Sequence, residues 1–178
     1  MKGEDRVRFL NGQVTNDIIR LAPGRGCYAV FTNGKGKMRA DSVILNAGEY
    51  FLMDLEPGYD QRMAAELEKF VIADDVSIEN ITDSWSAWTI VGKGAAETLQ
   101  QNGLCVAPPR ELFETTEIPA SKLSGGFLFR SRRSIDDSFD IWVETSQKNS
   151  LLKILTGSIK RMDPSILEIL RVEAAIPR

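Results

Sequence analysis

The chain has 178 residues, of which 43% are hydrophobic and 26% charged, and its formal net charge at pH 7 is −3. These values are typical of one globular domain or two small intertwined units, and the mixed charges argue against a duplex nucleic-acid partner. No stretch approaches the roughly 20 apolar residues that a membrane span needs, so we expect no membrane association.

Residue types narrow the possible chemistry. Histidine is absent, which excludes Ser-His-Asp and Cys-His machinery and argues against a zinc site, so no metal is expected. Cys27 and Cys105 lie far apart without CxxC spacing, which predicts unpaired thiols in a cytoplasmic protein. Any reaction must therefore use carboxylates, Lys, Tyr, Cys or a bound cofactor.

The sequence of the first half of the chain predicts an antiparallel sheet that is preceded and followed by helices. Short helices are predicted in "GEDRVRFLNGQ" and in "TNDIIRL", the second with Thr15 or Asn16 as its N-cap. Strands follow in "CYAVFTN", "MRADSVILNA" and "YFLMDLE", joined by turns too short for parallel crossovers. The clearest helix is "PGYDQRMAAELEKFVI", in which Met63, Leu67 and Phe70 recur at helical spacing.

The second half repeats the mixture of strands and helices. Strands are predicted in "ADDVSIENIT", "SWSAWTIVG", "FLFRSRR" and "FDIWVE". Helices are predicted in "GAAETLQQNGL", ended by Gly103, in "SQKNSLLKILTG", and in "DPSILEILRVEAAI", capped by Asp163. Because strands and helices do not alternate strictly, the order predicts an α+β fold with antiparallel sheets.

The segment "VFTNGKGKMRADSVI" contains the main candidate site. "NGKGK" lacks the spacing of a phosphate-binding loop and reads as a β-turn. Lys37, Arg39 and Asp41 alternate with apolar residues, so we predict that they share one strand face. That face is either solvated, or it turns Asp41 toward a ligand cavity that Tyr28 of the preceding strand also lines. A charge cluster, "RSRRSIDD", reads as a solvated turn or as a loop that contacts an anion or a partner.

Three segments carry a family resemblance: "GEDRVRFLNGQVTNDI", "YAVFTNGKGKMRADSVI" and "KFVIADDVSI". They resemble the folate-binding superfamily that contains the glycine-cleavage T-protein, an aminomethyltransferase, and its YgfZ-type relatives, and they look closer to the YgfZ type. The resemblance implies one folate-binding domain over residues 1–178, built from two similar antiparallel-sheet and helix subdomains with ferredoxin-like elements. The subdomains, roughly 1–50 plus 145–178 and 51–144, would swap their first strands around a channel for tetrahydrofolate.

The end of the chain points to a longer parent protein. The YgfZ-type segment K-G-C-[FY]-x-G-Q-E and the superfamily's C-terminal β-barrel are absent from the 178 residues and would lie beyond Arg178. The final "RVEAAIPR" is apolar and helical in pattern, so we expect the parent chain to continue.

The resemblance also assigns site residues. Asp41 falls on the aspartate that lies near the folate nitrogens in the T-protein, so it would be catalytic if the protein is an enzyme. Tyr28 falls on a folate-contacting tyrosine, and Asp140 falls on a ligand-contacting glutamate. Arg133 and Leu167 replace a tyrosine and an arginine that contact folate in the T-protein, and these replacements argue against aminomethyl transfer.

The functional expectation is a tetrahydrofolate-binding protein with a folate-dependent accessory role in iron–sulfur enzyme maintenance, as the YgfZ-type resemblance implies. The alternative is an aminomethyltransferase that transfers a one-carbon unit to tetrahydrofolate. A third possibility is an interaction module that binds no folate. The protein partner would be an iron–sulfur protein in the first case and a lipoyl carrier in the second.

Overall fold

The computed structural model describes residues 1–176. The chain divides into two units, Met1–Thr82 and a second that begins at Asp83, and each has its own antiparallel sheet and hydrophobic core. The predicted α+β class with antiparallel sheets is therefore confirmed. None of the helices formed by residues 1–176 is long and apolar enough to cross a membrane.

The first unit packs two helices against a three-stranded sheet of order β1-β2-β3. Its elements are α1 (Arg6–Asn11), β1 (Arg25–Thr32), β2 (Met38–Asn46), β3 (Phe51–Leu55) and α2 (Asp60–Glu68). The apolar face of each element contributes to one cluster. Its most buried members are Phe9, Leu10, Ile18, Ala29, Phe31, Ile44, Phe51, Met63 and Leu67.

In its described residues, the second unit contains a four-stranded sheet of order β4-β7-β6-β5 and three α-helices. Its elements are β4 (Trp85–Val91), α3 (Ala95–Gln101), β5 (Thr115–Glu117), β6 (Phe127–Ser131), β7 (Ser138–Glu144), α4 (Lys148–Leu155) and α5 (Pro164–Glu173). The central strand β7 pairs with β4 on one side and β6 on the other. Leu99, Leu128, Phe139, Ile141 and Leu151 are completely buried in its core.

Two predicted elements are wrong and one strand was missed. "TNDIIRL" forms turns and bends instead of a helix, and the side chains of Thr15 and Asn16 hydrogen-bond to backbone groups of β1. "ADDVSIENIT" forms no strand either, since its only bridge within residues 1–176 joins Ser77 to Lys2. The short strand β5 lies between the predicted elements, in a segment for which no strand or helix is predicted; it pairs with β6.

The two compact units are contiguous in sequence, whereas the resemblance implies subdomains of roughly 1–50 plus 145–178 and 51–144, and that assignment stays a prediction. Strand β3 pairs with β2 through residues 42–46, and Met63 and Leu67 of α2 join the first core. Leu151 and Leu155 of α4 join the second core. Each sheet therefore packs against the helix that follows it in the chain, and each unit is contiguous in sequence.

Candidate functional site

Four side chains share one face of the β1–β2 hairpin. Val30 lies opposite Asp41, and Tyr28 lies opposite Val43. Residues two apart on a strand, and residues directly opposed across an antiparallel pair, point to the same face. We call these four residues the Tyr28–Asp41 patch.

Tyr28 and Asp41 form a direct hydrogen bond within the patch. The Tyr28 hydroxyl donates to Asp41 Oδ2 over 2.8 Å. Asp41 Oδ1 accepts no hydrogen bond from any of the residues 1–176. Asp41 and both valines are half-buried, whereas 42% of the Tyr28 surface is exposed. The patch thus combines two half-buried valine side chains, the exposed ring of Tyr28 and an Asp41 oxygen that is available to accept a hydrogen bond.

The protonation states follow from this geometry. Burial, the hydrogen bond to Asp41 and the negative charge of Asp41 raise the pKa of Tyr28 to about 12. Tyr28 is therefore a neutral donor throughout the physiological range. The thiol of neighbouring Cys27, on the opposite face of β1, has its pKa raised to about 11 by burial, so it is a poor nucleophile.

The side chains of residues 15 and 16 hydrogen-bond to the backbone of β1 next to the patch. Thr15 Oγ1 accepts from the Val30 backbone N–H over 3.0 Å, and Asn16 Nδ2 donates to the Tyr28 carbonyl over 2.9 Å. These side chains were predicted to cap a helix, and they satisfy strand backbone groups instead. Neither this support nor the two valines were predicted from the sequence, because each depends on the register with a distant segment.

The expected alternation of Lys37, Arg39 and Asp41 on one face is wrong. Phe31 pairs with Ala40 while Thr32 pairs with Met38, so Arg39 is an extra residue that interrupts the alternation. Arg39 forms an ion pair with Glu66 of α2. Asp41 therefore does not form one continuous charged strand face with Lys37 and Arg39.

Asp140 lies in the second unit, at the centre of β7. It is 1% exposed. Its Oδ1 accepts from the hydroxyls of Thr89 and Ser131, each over 2.9 Å. Its Oδ2 accepts from Arg133 Nε over 3.0 Å and from Arg133 Nη2 over 2.8 Å. The carboxylate is thus neutralised and hydrogen-bonded by its own unit, as a buried charge requires.

A cleft of about 420 Å³ lies in the second unit, between the β6–β7 hairpin and the end of α5. It includes most of the charge cluster singled out in the sequence. Arg130 and Asp137 in its wall form an ion pair with each other. Arg132, Asp136 and Glu173 add charges of both signs, so the lining favours no single class of ligand.

Comparisons with known proteins agree with this architecture. Residues 1–175 match the family model described as the GCVT N-terminal domain. The aminomethyltransferase of Deinococcus deserti is 25% identical over 182 residues, covering 99% of this chain and 50% of the relative. The mitochondrial aminomethyltransferase of Flaveria trinervia is 30% identical over 190 residues, covering 99% of this chain and 45% of the relative.

A solved structure shows the same fold. The crystal structure of glycine cleavage system aminomethyltransferase T from Bartonella henselae matches 99% of this chain and 48% of its own, with a TM-score of 0.83 and 22% identity. The chain spans about half the length of these relatives. Since the family model covers nearly every residue from the first helix through α5, the chain belongs to the GCVT N-terminal domain family.

Proposed function

We propose that the protein binds tetrahydrofolate and that the Tyr28–Asp41 patch is part of the binding site. The observation that carries the proposal is the hydrogen bond from Tyr28 to Asp41, which leaves Asp41 Oδ1 available on a half-buried apolar face. Family membership supports it, because the relatives named above are aminomethyltransferases. The resemblance assigns both residues to folate contacts.

The chemistry of the patch suits a pterin. A reduced pterin is a nearly flat heterocycle whose edge carries N–H donors, and a carboxylate oxygen is the strongest protein acceptor for them. Val30 and Val43 would contact the ring face, and Tyr28 would hold the Asp41 carboxylate in one rotamer. Asp140 is not part of the proposed contact set, because its oxygens already accept from Thr89, Ser131 and Arg133.

If the protein is an enzyme, Asp41 would stabilise positive charge on the folate nitrogens and accept a proton from them. When bound, tetrahydrofolate supplies the nitrogens that carry the one-carbon unit. A carboxylate beside these nitrogens stabilises positive charge that develops on them and accepts a proton from them. Tyr28 stays protonated because of its raised pKa, so it would orient Asp41 without competing for that proton.

Calorimetric titration with tetrahydrofolate, under reducing conditions, tests the proposal. Asp41→Asn should weaken binding by about tenfold or more, since a hydrogen bond to a charged group contributes roughly 1.5–3 kcal/mol. Tyr28→Phe should have a smaller effect, because the ring and the carboxylate both remain. The matched controls are Asp83→Asn, at an exposed carboxylate, and Tyr59→Phe, at a tyrosine that is 40% exposed. Absence of binding at millimolar ligand, or equal losses in the control variants, would reject the site.

Two activities are compatible with folate binding. The names of the relatives favour aminomethyl transfer. The Arg133–Asp140 ion pair, at positions where the T-protein has a tyrosine and a glutamate, favours the YgfZ-type accessory role in iron–sulfur enzyme maintenance. Ammonia release from an aminomethyl-lipoyl carrier, measured with the full-length protein, distinguishes them: release supports transfer, and folate binding without release supports the accessory role. We keep the cytoplasm as the proposed location, since Cys27 and Cys105 are free thiols.

A further inference from the structure

The outer edges of the first sheet are hydrogen-bonded to other segments of the chain. At β1, the Thr15 backbone N–H donates to the Val30 carbonyl over 3.0 Å, and Thr15 Oγ1 accepts from the Val30 N–H. At β3, the Phe51 backbone N–H donates to the Met1 carbonyl over 2.9 Å, and the Met1 ammonium donates to the Phe51 carbonyl over 3.0 Å. These hydrogen bonds occupy backbone groups that would otherwise be open to another strand.

The two outer edges of the second sheet differ from each other. Strand β5 has three residues and carries a charge at Glu117, and both features discourage pairing with a further strand. Strand β4 has seven residues, WSAWTIV, with no charge, no proline and an unbroken register against β7. Among residues 1–176, β7 is the only segment that pairs with the β4 backbone, so the other side of β4 presents unpaired N–H and carbonyl groups.

The burial of β4 leaves room for a further strand beside it. Ile90 is the only buried residue of the seven, and Ala87 is exposed. Ile90 belongs to the core of the second unit and Trp88 packs against that core, so the even-numbered side chains point to the core face. A strand added at this edge would therefore extend the sheet without displacing the core.

The charges that flank β4 indicate which strand would fit. Asp83 and Lys93 are each five residues from Trp88, one on either side. Both side chains are exposed, and neither forms an ion pair in the part of the chain that the structure describes. An antiparallel pair of two β4 strands centred on Trp88 brings Asp83 of each copy next to Lys93 of the other copy. The edge is thus complementary in charge to a second copy of itself.

We propose that β4 is an interface between two copies of this chain, which pair antiparallel about Trp88 and form one continuous eight-stranded sheet. The pairing places Ala87 opposite Thr89 of the other copy and opposes no like charges. Both copies use the same edge, so the assembly closes as a two-fold dimer, and β5 ends the sheet on both sides. A seven-residue strand pair is smaller than a standard interface, so the dimer is weak and depends on concentration.

Sedimentation equilibrium of the 178-residue chain, from micromolar to millimolar concentration, tests the inference. The mass should rise from 19.8 kDa toward twice that value. Ala87→Lys places a charge on the edge, as natural edge strands do, and should weaken association by about tenfold. Two control variants should associate like the native chain: Ala87→Ser, which adds no charge at the same position, and Gln101→Lys, which adds the charge at an exposed residue of α3.

Exchange of the flanking charges tests the register. Asp83→Lys alone, or Lys93→Asp alone, places like charges next to each other and should weaken the dimer by about fivefold at low salt. The double variant, Asp83→Lys with Lys93→Asp, restores opposite charges and should recover native association. The effect of each single variant should shrink as salt is added, because both charges are exposed.

Amide hydrogen exchange measures the edge directly. The outward-facing N–H groups of β4, at every second residue, should exchange more slowly as the concentration of the chain rises. A chain that stays monomeric over the whole range overturns the proposal, and protected β4 amides in that monomer would mean that another segment covers the edge. Association that Ala87→Lys leaves intact, or that the double charge variant fails to recover, overturns it as well.

Discussion

At the scale of single residues, the carboxylates Asp41 and Asp140 have opposite environments. Asp41 shares one oxygen with Tyr28 and keeps the other available, on a half-buried face. Asp140 is 1% exposed and is held by Arg133 and two hydroxyls. A buried carboxylate is stable only when it is paired, whereas a carboxylate with a free oxygen at an accessible face can recognise a donor. The difference makes Asp41 the stronger candidate for ligand contact.

The raised pKa of Tyr28 gives a pH-dependent prediction. Its folded-state pKa of about 12 lies above the ordinary value of 10.0, so Tyr28 stabilises the fold fully below pH 10 and loses that contribution as the pH rises toward 12. Asp41→Asn removes the negative charge and should move the pKa of Tyr28 back toward 10. Tyrosinate absorbance during alkaline titration measures this, with Tyr28→Phe identifying the signal among the three tyrosines. An unchanged titration curve in Asp41→Asn would show that the pair does not set the pKa.

At the scale of elements, capping residues and glycines in the sequence correctly predicted where helices begin and end. Helix α5 begins as expected, with Asp163 accepting from the Ser165 backbone N–H over 2.9 Å and Pro164 in the first turn. Helix α3 ends before Gly103, whose φ is +71°. The strand β5 and the extra residue at Arg39 were missed, because they depend on which strands meet and in what register.

The entry to β6 provides a matched pair of glycines. A Cβ at Gly126 would lie 2.9 Å from the Trp142 carbonyl oxygen, whereas a Cβ at Gly125 would meet nothing within 4 Å, and both residues have positive φ. Gly126→Ala should therefore destabilise the protein by roughly 1–3 kcal/mol more than Gly125→Ala, because a buried strand must move in the first case only. Urea unfolding of the two variants measures the difference. Equal midpoints would mean that backbone strain alone decides the cost at both sites.

At the scale of the whole molecule, the two units have separate hydrophobic cores. The cluster of the first unit is formed by α1, the sheet β1–β3 and α2, and the cluster of the second by α3, α4 and strands β4, β6 and β7. Among the residues that the structure describes, the two clusters share none. Loss of packing in one core should therefore weaken the strands of that unit first.

Two leucine substitutions test whether the units respond separately. Leu10 on α1 and Leu99 on α3 are both 0% exposed, and either Leu→Ala change should cost roughly 2–5 kcal/mol. Amide hydrogen exchange should accelerate most in β1–β3 for Leu10→Ala and most in β4, β6 and β7 for Leu99→Ala. Uniform acceleration across both sheets in both variants would show that the chain opens as one cooperative block.

The amino-acid sequence by itself determined the α+β class, most helices and the β1–β2 hairpin, because periodicity, capping and turn chemistry act within a few residues. Its resemblance to a known family also singled out Tyr28 and Asp41. Only the tertiary structure decided that these two side chains form a hydrogen bond, that Arg39 pairs with Glu66, and that Asp140 is neutralised within its own unit. Those outcomes depend on strand register and on partners as far apart in sequence as Thr89 and Asp140, which no local pattern specifies.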